Sequence, residues 1–295
     1  MTTTSTGPAV VALGGGHGLA TALRAIRQYA GTITAVVSVA DDGGSSGRLR
    51  RDLGVLPPGD LRRCLVALAE DETWAGVFEH RFGGGDLDGH ALGNLILVGL
   101  TETLGDFTAA LDEAARALHA VGRVLPATTE QVVLKAAVGD AEVQGQVAVQ
   151  NSTGIRRVEL VPSDAPASPA AIAAIAAADQ VVLAPGSLYT SLLPVLCVPG
   201  LRDAVAATSA RVVQVVNLRQ QVPETLGLDG TDHLHAVIDH GARVDTVLHA
   251  VDGALAFDDA RARALGVEPR GAGLAGRNGL VHDPEQLAKE LSALL

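Results

Sequence analysis

The chain starts with an apolar run, a glycine loop, a helical pattern and a second apolar run. The order of these four segments limits the folds that the chain can adopt. Val10 to Leu13 is followed directly by Gly14-Gly15-Gly16-His17-Gly18. Leu19 to Tyr29 then carries apolar residues at helical spacing, and Ile33 to Ala40 consists mainly of small and β-branched residues. This order predicts a βαβ unit and therefore an α/β fold with a mostly parallel sheet.

The glycine loop has two interpretations. Backbone N–H groups and the helix dipole at the start of a helix can bind a phosphate. The dinucleotide fingerprint is matched only in part, because counting from Gly14 places Gly16 correctly but puts Leu19 where the third glycine belongs. The loop is either an anion site or a tight turn between strand and helix. Its candidate residues are Gly14, Gly15, Gly16, His17 and Gly18, of which His17 contacts a phosphate or caps the turn.

Two carboxylates end the second strand. Asp41 and Asp42 are followed by Gly43-Gly44-Ser45-Ser46-Gly47-Arg48. Carboxylates are seldom buried without a partner, and ligands of open α/β sheets bind at the carboxyl ends of the strands. Hydroxyls, N–H groups and a guanidinium suit a phosphate or a sugar, whereas paired carboxylates suit Mg²⁺ held together with phosphate oxygens. The alternative is a solvated loop in which one aspartate caps the next turn.

A third carboxylate follows in Pro57-Pro58-Gly59-Asp60, just before an amphipathic helical pattern over 61–69. Asp60 is a candidate N-cap of that helix. It is also a candidate to face Asp41 and Asp42 across the loop, and the two roles are compatible. The candidate metal ligands are therefore Asp41, Asp42 and Asp60.

Further polar residues stand in apolar surroundings later in the chain. His90 and Asn94, four apart, open an apolar helical pattern that reaches Leu104, so they bond to neighbouring backbone or face a ligand cleft. A buried strand over 180–184 ends in a second loop of glycine and hydroxyls. Its candidate residues are Pro185, Gly186, Ser187, Tyr189, Thr190 and Ser191. Two such loops entering one cleft would form a nucleotide site.

The pattern changes between about residues 123 and 162. Short alternating runs over 132–138, 143–149 and 155–161 are separated by turn residues, which predicts antiparallel hairpins. So short a segment buries little by itself, so we expect a small β insertion within a single domain over 8–295. Residues 1–7 are rich in threonine and serine without a basic or apolar region, which predicts a disordered lead-in rather than a signal peptide.

Composition limits the classes of partner that the chain is expected to bind. A net charge of −11 argues against nucleic acid and anionic membranes, although an anionic small ligand can still be held locally. Aromatic residues make up 2% of the chain, which removes the stacking platforms of single-strand binders. No apolar run is long enough to span a membrane. Cys64 and Cys197 form no CxxC pair and are predicted to be free thiols in a reducing cytoplasm.

Taken together, several segments resemble the YvcK/CofD-like family, the group around the gluconeogenesis factor and 2-phospho-L-lactate transferase. The segments are 11–19, 40–48, 56–62, 89–94 and 184–191, with Asn217-Leu218, Glu224-Thr225 and Asp232-His233 after them. The run after the paired acids looks like the YvcK branch. His17 stands where many relatives have threonine.

The resemblance implies a Rossmann-like three-layer αβα core that holds a nucleotide, with Asn217 among the binding residues. In the YvcK branch the ligand is a UDP-sugar such as UDP-N-acetylglucosamine, and the role lies in cell shape and in wall or carbon metabolism. In the transferase branch, carboxylates matching Asp41 or Asp42 and Asp60 hold a divalent metal.

Three functions follow from these patterns. The first is a cytoplasmic, non-catalytic nucleotide-sugar-binding regulator, for which a homodimer contact near the cleft loops is a further expectation. The second is an enzyme that transfers a phosphate-containing group from a nucleotide-activated donor with the help of Mg²⁺. The third is an NAD-dependent oxidoreductase, which rests only on the partial glycine fingerprint.

Overall fold

A computed structural model describes residues 7–295 of the chain. The predicted lead-in over 1–7 lies outside the described residues except for Gly7. Ten strands are defined in this range. They are β1 (Ala9–Gly14), β2 (Thr32–Val37), β3 (Arg123–Pro126), β4 (Val133–Val138), β5 (Ala141–Gln144), β6 (Ile155–Val161), β7 (Gln180–Leu183), β8 (Arg211–Val215), β9 (Thr246–Ala250) and β10 (Glu268–Ala272).

Thirteen α-helices accompany the strands within the same range. They are α1 (Gly16–Ile26), α2 (Gly44–Leu53), α3 (Gly59–Leu68), α4 (Glu72–Glu79), α5 (Leu92–Leu104), α6 (Phe107–Ala117), α7 (Gln146–Gln150), α8 (Pro169–Ala176), α9 (Leu193–Leu196), α10 (Pro199–Ala207), α11 (Gly230–Asp239), α12 (Asp259–Ala264) and α13 (Pro284–Ser292). A 3₁₀ turn covers Gly85–Leu87, and a π-helical turn over Leu188–Leu192 leads into α9.

The central sheet has seven strands in the order β10-β9-β8-β7-β1-β2-β3. Every neighbouring pair in it is parallel. The chain moves outward from β1 to β3, then crosses back to place β7 beside β1 and continues outward to β10. The loops after β1 and β7 therefore leave in opposite directions, which opens a crevice at their carboxyl ends. The predicted Rossmann-like α/β fold is confirmed.

Small aliphatic residues form the core, as a chain poor in aromatic residues requires. Val11, Ala12 and Leu13 of β1 are at most 2% exposed, and Val181 to Leu183 of β7 are fully buried. Burying one valine or leucine side chain stabilises the fold by about 1.5–3 kcal/mol. These buried central strands place the ends of β1 and β7 side by side at the crevice.

The small sheet has the order β5-β4-β6 and is antiparallel, as predicted. Two of its predicted limits are wrong. Arg123–Pro126 pairs with β2 in the central sheet, so the antiparallel strands begin at Val133 rather than at about 123. The predicted run over 143–149 leaves the sheet after Gln144 and becomes α7. That the insertion belongs to one domain over 8–295 stays a prediction.

No single helix between residues 7 and 295 is long and apolar enough to cross a membrane. One pair of helical segments, 188–196 and 199–207, meets the length and composition together but is bent by 76°.

Candidate functional site

A polar cleft of about 540 Å³ lies where the loops after β1, β2 and β7 meet. We call it the central cleft. Its lining residues are Gly15, Gly16, His17, Gly18, Ser38, Asp41, Gly43, Gly44, Ser45, Ser46, Gly59, Asp60, Arg62, Arg63, Arg81, Asn94, Gln146, Val147, Gln150, Gly186, Ser187, Thr190, Ser191 and Gln221. The position at the switch between β1 and β7 is the one that parallel sheets of this order offer to ligands.

The glycine loop makes a close turn against the loop after β7, and it also lines the central cleft. Gly14 does not line the central cleft, and its φ of +149° is one that L side chains rarely adopt, so the backbone favours glycine here. Gly18 lies against the loop after β7, because a Cβ there would lie 1.9 Å from the carbonyl oxygen of Pro185. The side of the loop that faces the cleft consists of Gly15, Gly16, His17 and Gly18.

Helix α1 begins in this loop with its amides toward the cleft. The first four N–H groups of a helix have no partner within the helix. The amide of Gly16 donates to Oδ2 of Asp60 at 2.7 Å. The amides of His17 and Gly18 follow in the same first turn and can donate to an anion.

The loop after β2 is shorter than the sequence indicated. Helix α2 begins at Gly44, so Ser45, Ser46 and Arg48 belong to its first turns rather than to a loop. Ser45 and Ser46 line the central cleft, and the Ser46 hydroxyl accepts the Gly59 amide at 3.1 Å.

Gly47 and Arg48, the last two residues of the segment that begins at Asp41, do not line the central cleft. Gly47 packs against the chain at Asp42, where a Cβ would lie 1.8 Å from the carbonyl oxygen. Arg48 donates from Nη2 to the Asp88 carbonyl at 2.6 Å. The Arg48 guanidinium thus connects α2 to the neighbouring loop and lies outside the cleft lining, while its contact with a ligand stays a prediction.

Asp41 and Asp60 both line the central cleft, but they are held differently. Asp41 Oδ1 accepts the Gly43 amide at 3.0 Å, and burial, followed by the nearby Asp60 charge, raises the Asp41 pKa. Asp60 accepts the Gly16 amide through Oδ2 and pairs through Oδ1 with Arg63 at 2.5 Å. Asp60 is not the N-cap of α3, because Pro58 takes that position and Asp60 lies in the first turn.

Asp42 does not join the other two carboxylates. Its Oδ2 accepts the Gln146 amide at 2.9 Å, and its Oδ1 accepts the Val147 amide at 3.0 Å. Asp42 thereby fixes the start of α7. This helix replaces most of the strand predicted over 143–149. Within the described chain no three His, Cys, Asp or Glu side chains form a group that could hold a metal. The predicted convergence of Asp41, Asp42 and Asp60 is wrong.

Asp41 and Asp60 alone still suit Mg²⁺ in part. Mg²⁺ is commonly bound by one or two carboxylates together with substrate phosphates and water. Both oxygens of Asp60 are already engaged by Gly16 and Arg63, which leaves Asp41 as the freer carboxylate. A metal here would depend on oxygens supplied by a ligand.

His90 and Asn94 meet at Ser45, although they are not on one helix. Helix α5 begins at Leu92, after His90. His90 Nδ1 lies 3.0 Å from the Ser45 hydroxyl, which also accepts from Asn94 Nδ2 at 3.1 Å. Asn94 accepts from Arg62 Nε at 3.0 Å. Asn94 lines the central cleft and His90 lies behind Ser45, so only one of the two predicted wall residues faces the cleft.

The loop after β7 is held from behind by a buried carboxylate. Glu224 is 2% exposed, and its Oε1 accepts the amides of Tyr189 at 2.6 Å and Thr190 at 3.1 Å. Burial raises the Glu224 pKa. Tyr189 is buried and does not line the cleft, while its contact with a ligand stays a prediction. The cleft side of the loop is formed by Gly186, Ser187, Thr190 and Ser191.

Pro185 and Asn217 line an adjoining cavity of about 300 Å³. Asn217 clamps Gly186, accepting its amide at 2.8 Å and donating to its carbonyl at 2.7 Å. The wall opposite is more apolar and includes Leu218, Leu280 and Val281. This cavity shares His17, Gly18, Gly186 and Gln221 with the central cleft.

The central cleft contains three arginines and three glutamines that were not predicted from the sequence, and one of these glutamines is Gln221, in the segment after β8. Arg62 and Arg63 directly follow Asp60, and that proximity was the available signal. Arg81 follows α4, and its place in the cleft depends on how α4 packs. Gln146 and Gln150 lie on α7, whose pattern resembled a strand. Glu224 carried a signal only through the family resemblance.

A family model described as 2-phospho-L-lactate transferase CofD matches residues 10–289. The chain belongs to the CofD/YvcK family. Within this family, the putative gluconeogenesis factor of Mycobacterium tuberculosis is 51% identical over 245 residues, which cover 78% of this chain and 72% of that protein. The gluconeogenesis factor of Bacillus subtilis is 42% identical over 247 residues, covering 82% and 78%.

The CofD/YvcK fold is also seen in a crystal structure of a UPF0052 family member from Bacillus halodurans. It matches with a TM-score of 0.92 and 36% sequence identity, covering 97% of this chain and 99% of that one. The resemblance inferred from the sequence motifs is therefore confirmed.

Proposed function

We propose that this chain binds a nucleotide sugar of the UDP-N-acetylglucosamine type in the central cleft. Its role would be that of a cytoplasmic regulatory protein linked to cell shape, the cell wall and central carbon metabolism. The observation that carries the proposal is the concentration of anion-binding groups at one place in a protein of net charge −11. Helix-start amides, hydroxyls and Arg62, Arg63 and Arg81 all face the same cleft.

Each part of such a ligand has a matching surface. The amides of His17 and Gly18 and the hydroxyls of Ser187 and Ser191 suit the diphosphate, because they meet it from two loops. Asp41 on the other side suits ribose or sugar hydroxyls, which donate to carboxylates.

The adjoining cavity suits the base. Leu218, Leu280 and Val281 offer apolar contact, and Asn217 and Arg219 offer polar groups at its edge. Small-molecule sites commonly combine apolar walls with a few placed polar groups. The names of the relatives in Mycobacterium tuberculosis and Bacillus subtilis, both gluconeogenesis factors, favour a role in carbon metabolism.

Calorimetric titration with UDP-N-acetylglucosamine tests this proposal. We expect one ligand per chain and a rise in melting temperature, because a ligand that binds the native state stabilises it. Arg81→Gln should weaken binding about tenfold, since one charge-assisted contact is lost. Arg157→Gln, an exposed site on β6 outside the central cleft, makes the same charge change and should leave the affinity unchanged.

The same titration separates the alternatives. No heat and no thermal stabilisation at millimolar UDP-N-acetylglucosamine would contradict the proposal. Binding of NAD with equal strength would favour the oxidoreductase hypothesis, which otherwise rests on the partial glycine fingerprint alone.

A second candidate function is transfer of a phosphate-containing group from a nucleotide-activated donor. Asp41 and Asp60 facing one cleft favour it, as does the transferase description of the family model. When bound, Mg²⁺ would offset phosphate charge at the site of attack. Asp41 would hold it, Arg63 would keep Asp60 in place, and Asp60 would keep the start of α1 oriented.

This second function predicts a specific pH dependence. Mg²⁺ needs the ionised Asp41 carboxylate, and burial and Asp60 raise the Asp41 pKa. Mg²⁺-dependent ligand affinity should therefore fall with decreasing pH at a higher pH than for an ordinary aspartate. Asp41→Asn should remove the Mg²⁺ effect, measured by titration with and without the metal. Equal Mg²⁺ effects in both proteins, or no turnover with any nucleotide donor, would contradict the transferase function.

A further inference from the structure

A second basic cavity, of about 320 Å³, adjoins the central cleft. We call it the arginine cavity, and it is lined by Arg24, Arg62, Arg63 and Arg81 together with His17, Ala20 and Glu79. Arg62, Arg63, Arg81 and His17 also line the central cleft, so the two spaces are continuous. Arg24 lines only the arginine cavity.

Three elements bring these arginines together. His17, Ala20 and Arg24 follow one another at spacings of three and four on α1, which places them on one helix face. Arg62 and Arg63 come from α3, and Arg81 comes from the segment after α4. The cluster is therefore a product of tertiary packing and not of a basic stretch of sequence.

The positive charge of this cavity is only partly balanced. Among the described residues, Arg63 is the one cavity arginine with a carboxylate within 4.0 Å, namely Asp60. Burial, followed by the charges of Arg63 and Arg81, lowers the Arg62 pKa to about 10. Like charges gathered in this way repel one another, and an anion among them removes that cost.

Several of the guanidinium groups are held in place by other contacts. Arg62 donates from Nε to Asn94 and from Nη1 to the Phe78 carbonyl at 3.1 Å. Arg81 donates from Nη1 to the Gly89 carbonyl at 2.5 Å. A guanidinium has five N–H donors, so each of these side chains is fixed while donors remain for a ligand. Fixed donors lose little entropy on binding.

We propose that the arginine cavity binds a second anionic group, a phosphate or a carboxylate, beside the ligand of the central cleft. Guanidinium groups match the planar forks of carboxylates and the oxygens of phosphates. The group belongs either to a separate small molecule or to the far end of the ligand in the central cleft. This inference deepens the proposed function and rests on it in part, because Arg62, Arg63 and Arg81 line both spaces, whereas Arg24 extends the site beyond the donors assigned to the diphosphate.

Inorganic phosphate is the probe for this site. Binding to the full chain is measured by equilibrium dialysis at constant ionic strength, with and without saturating UDP-N-acetylglucosamine. Arg24→Gln is the test variant, because Arg24 lies outside the central cleft and is exposed on α1. Arg157→Gln is the matched control, and melting temperatures confirm that both variants fold. We expect Arg24→Gln to weaken phosphate binding about fivefold and Arg157→Gln to leave it unchanged.

Phosphate binding that persists beside the nucleotide sugar and weakens in Arg24→Gln supports a separate molecule. If the nucleotide sugar displaces phosphate and Arg24→Gln weakens both ligands, the cavity holds part of the cleft ligand. Equal phosphate affinity in the wild-type chain and Arg24→Gln, or no phosphate binding at all, overturns the proposal. If the nucleotide sugar does not bind, the proposed function fails, but the phosphate comparison still decides whether the arginine cavity is an anion site.

Discussion

Replacing Glu224 with alanine is expected to lower the free energy of unfolding by about 3 kcal/mol and to abolish binding in the central cleft. The carboxylate accepts the amides of Tyr189 and Thr190, and its second oxygen accepts the Thr190 hydroxyl at 3.3 Å. Alanine would leave these buried donors without a partner, and the loop that carries Ser187 and Ser191 would lose its support. Urea unfolding and ligand titration measure the two effects.

Two further variants isolate the cause. In Glu224→Gln the amide oxygen can still accept both backbone N–H groups, so most of the stability and the binding should be retained. Glu72→Ala removes an exposed glutamate in the first turn of α4 and should change the free energy of unfolding by less than about 1 kcal/mol. A Glu224→Ala protein as stable as the wild type would show that Glu224 does not hold the loop.

Gly18→Ala is expected to disrupt the contact between the two loops that form the cleft. The added methyl group would lie 1.9 Å from the Pro185 carbonyl oxygen and 2.8 Å from Gly186 Cα. Both atoms belong to backbone, so one loop must move away from the other. Overpacking of this kind costs about 3 kcal/mol, and we expect the affinity for UDP-N-acetylglucosamine to fall about a hundredfold as the donors separate.

Gly99→Ala is the matched control for this substitution. Gly99 lies within α5, and a Cβ there meets nothing within 4 Å. Alanine should stabilise the chain by about 0.8 kcal/mol through helix propensity and leave ligand affinity unchanged. Wild-type affinity in Gly18→Ala would show that the spacing of the two loops does not matter for binding.

The sequence was sufficient for the parts of the site that lie at strand ends. Apolar runs identify buried strands, and the residues after them must gather at the carboxyl edge of a parallel sheet. Gly16, Asp41 and Ser187 were found in this way, and the structure places all of them in the central cleft.

The remaining errors arose where a polar residue had a partner far away in the chain. Asp42 was grouped with Asp41 because they are adjacent, yet its partners are amides of Gln146 and Val147, more than a hundred residues later. Arg48 and Tyr189 belong to motifs that do line the cleft. Arg48 itself donates to the Asp88 carbonyl, and the Tyr189 amide donates to Glu224. Such pairings depend on tertiary contacts that a local pattern does not encode.

The arginines of the arginine cavity show that local charge, too, depends on tertiary contacts. The net charge of −11 correctly describes the whole chain but hides the local field. Arg24, Arg62 and Arg81 are spread over 58 positions of sequence and meet only because α1, α3 and the segment after α4 pack together. A charge count therefore argues against nucleic acid as a partner, but it does not reveal where an anionic ligand would bind.

A crystal structure of the chain with UDP-N-acetylglucosamine would show whether the nucleotide sugar binds in the central cleft. We expect the diphosphate to lie in the central cleft, within hydrogen-bond distance of the His17 and Gly18 amides and of the loop carrying Ser187 and Ser191. We also expect Asp42 to stay bound to the first amides of α7 and to contact neither ligand nor metal. A ligand bound elsewhere, with the amides of His17 and Gly18 facing solvent, would contradict the account.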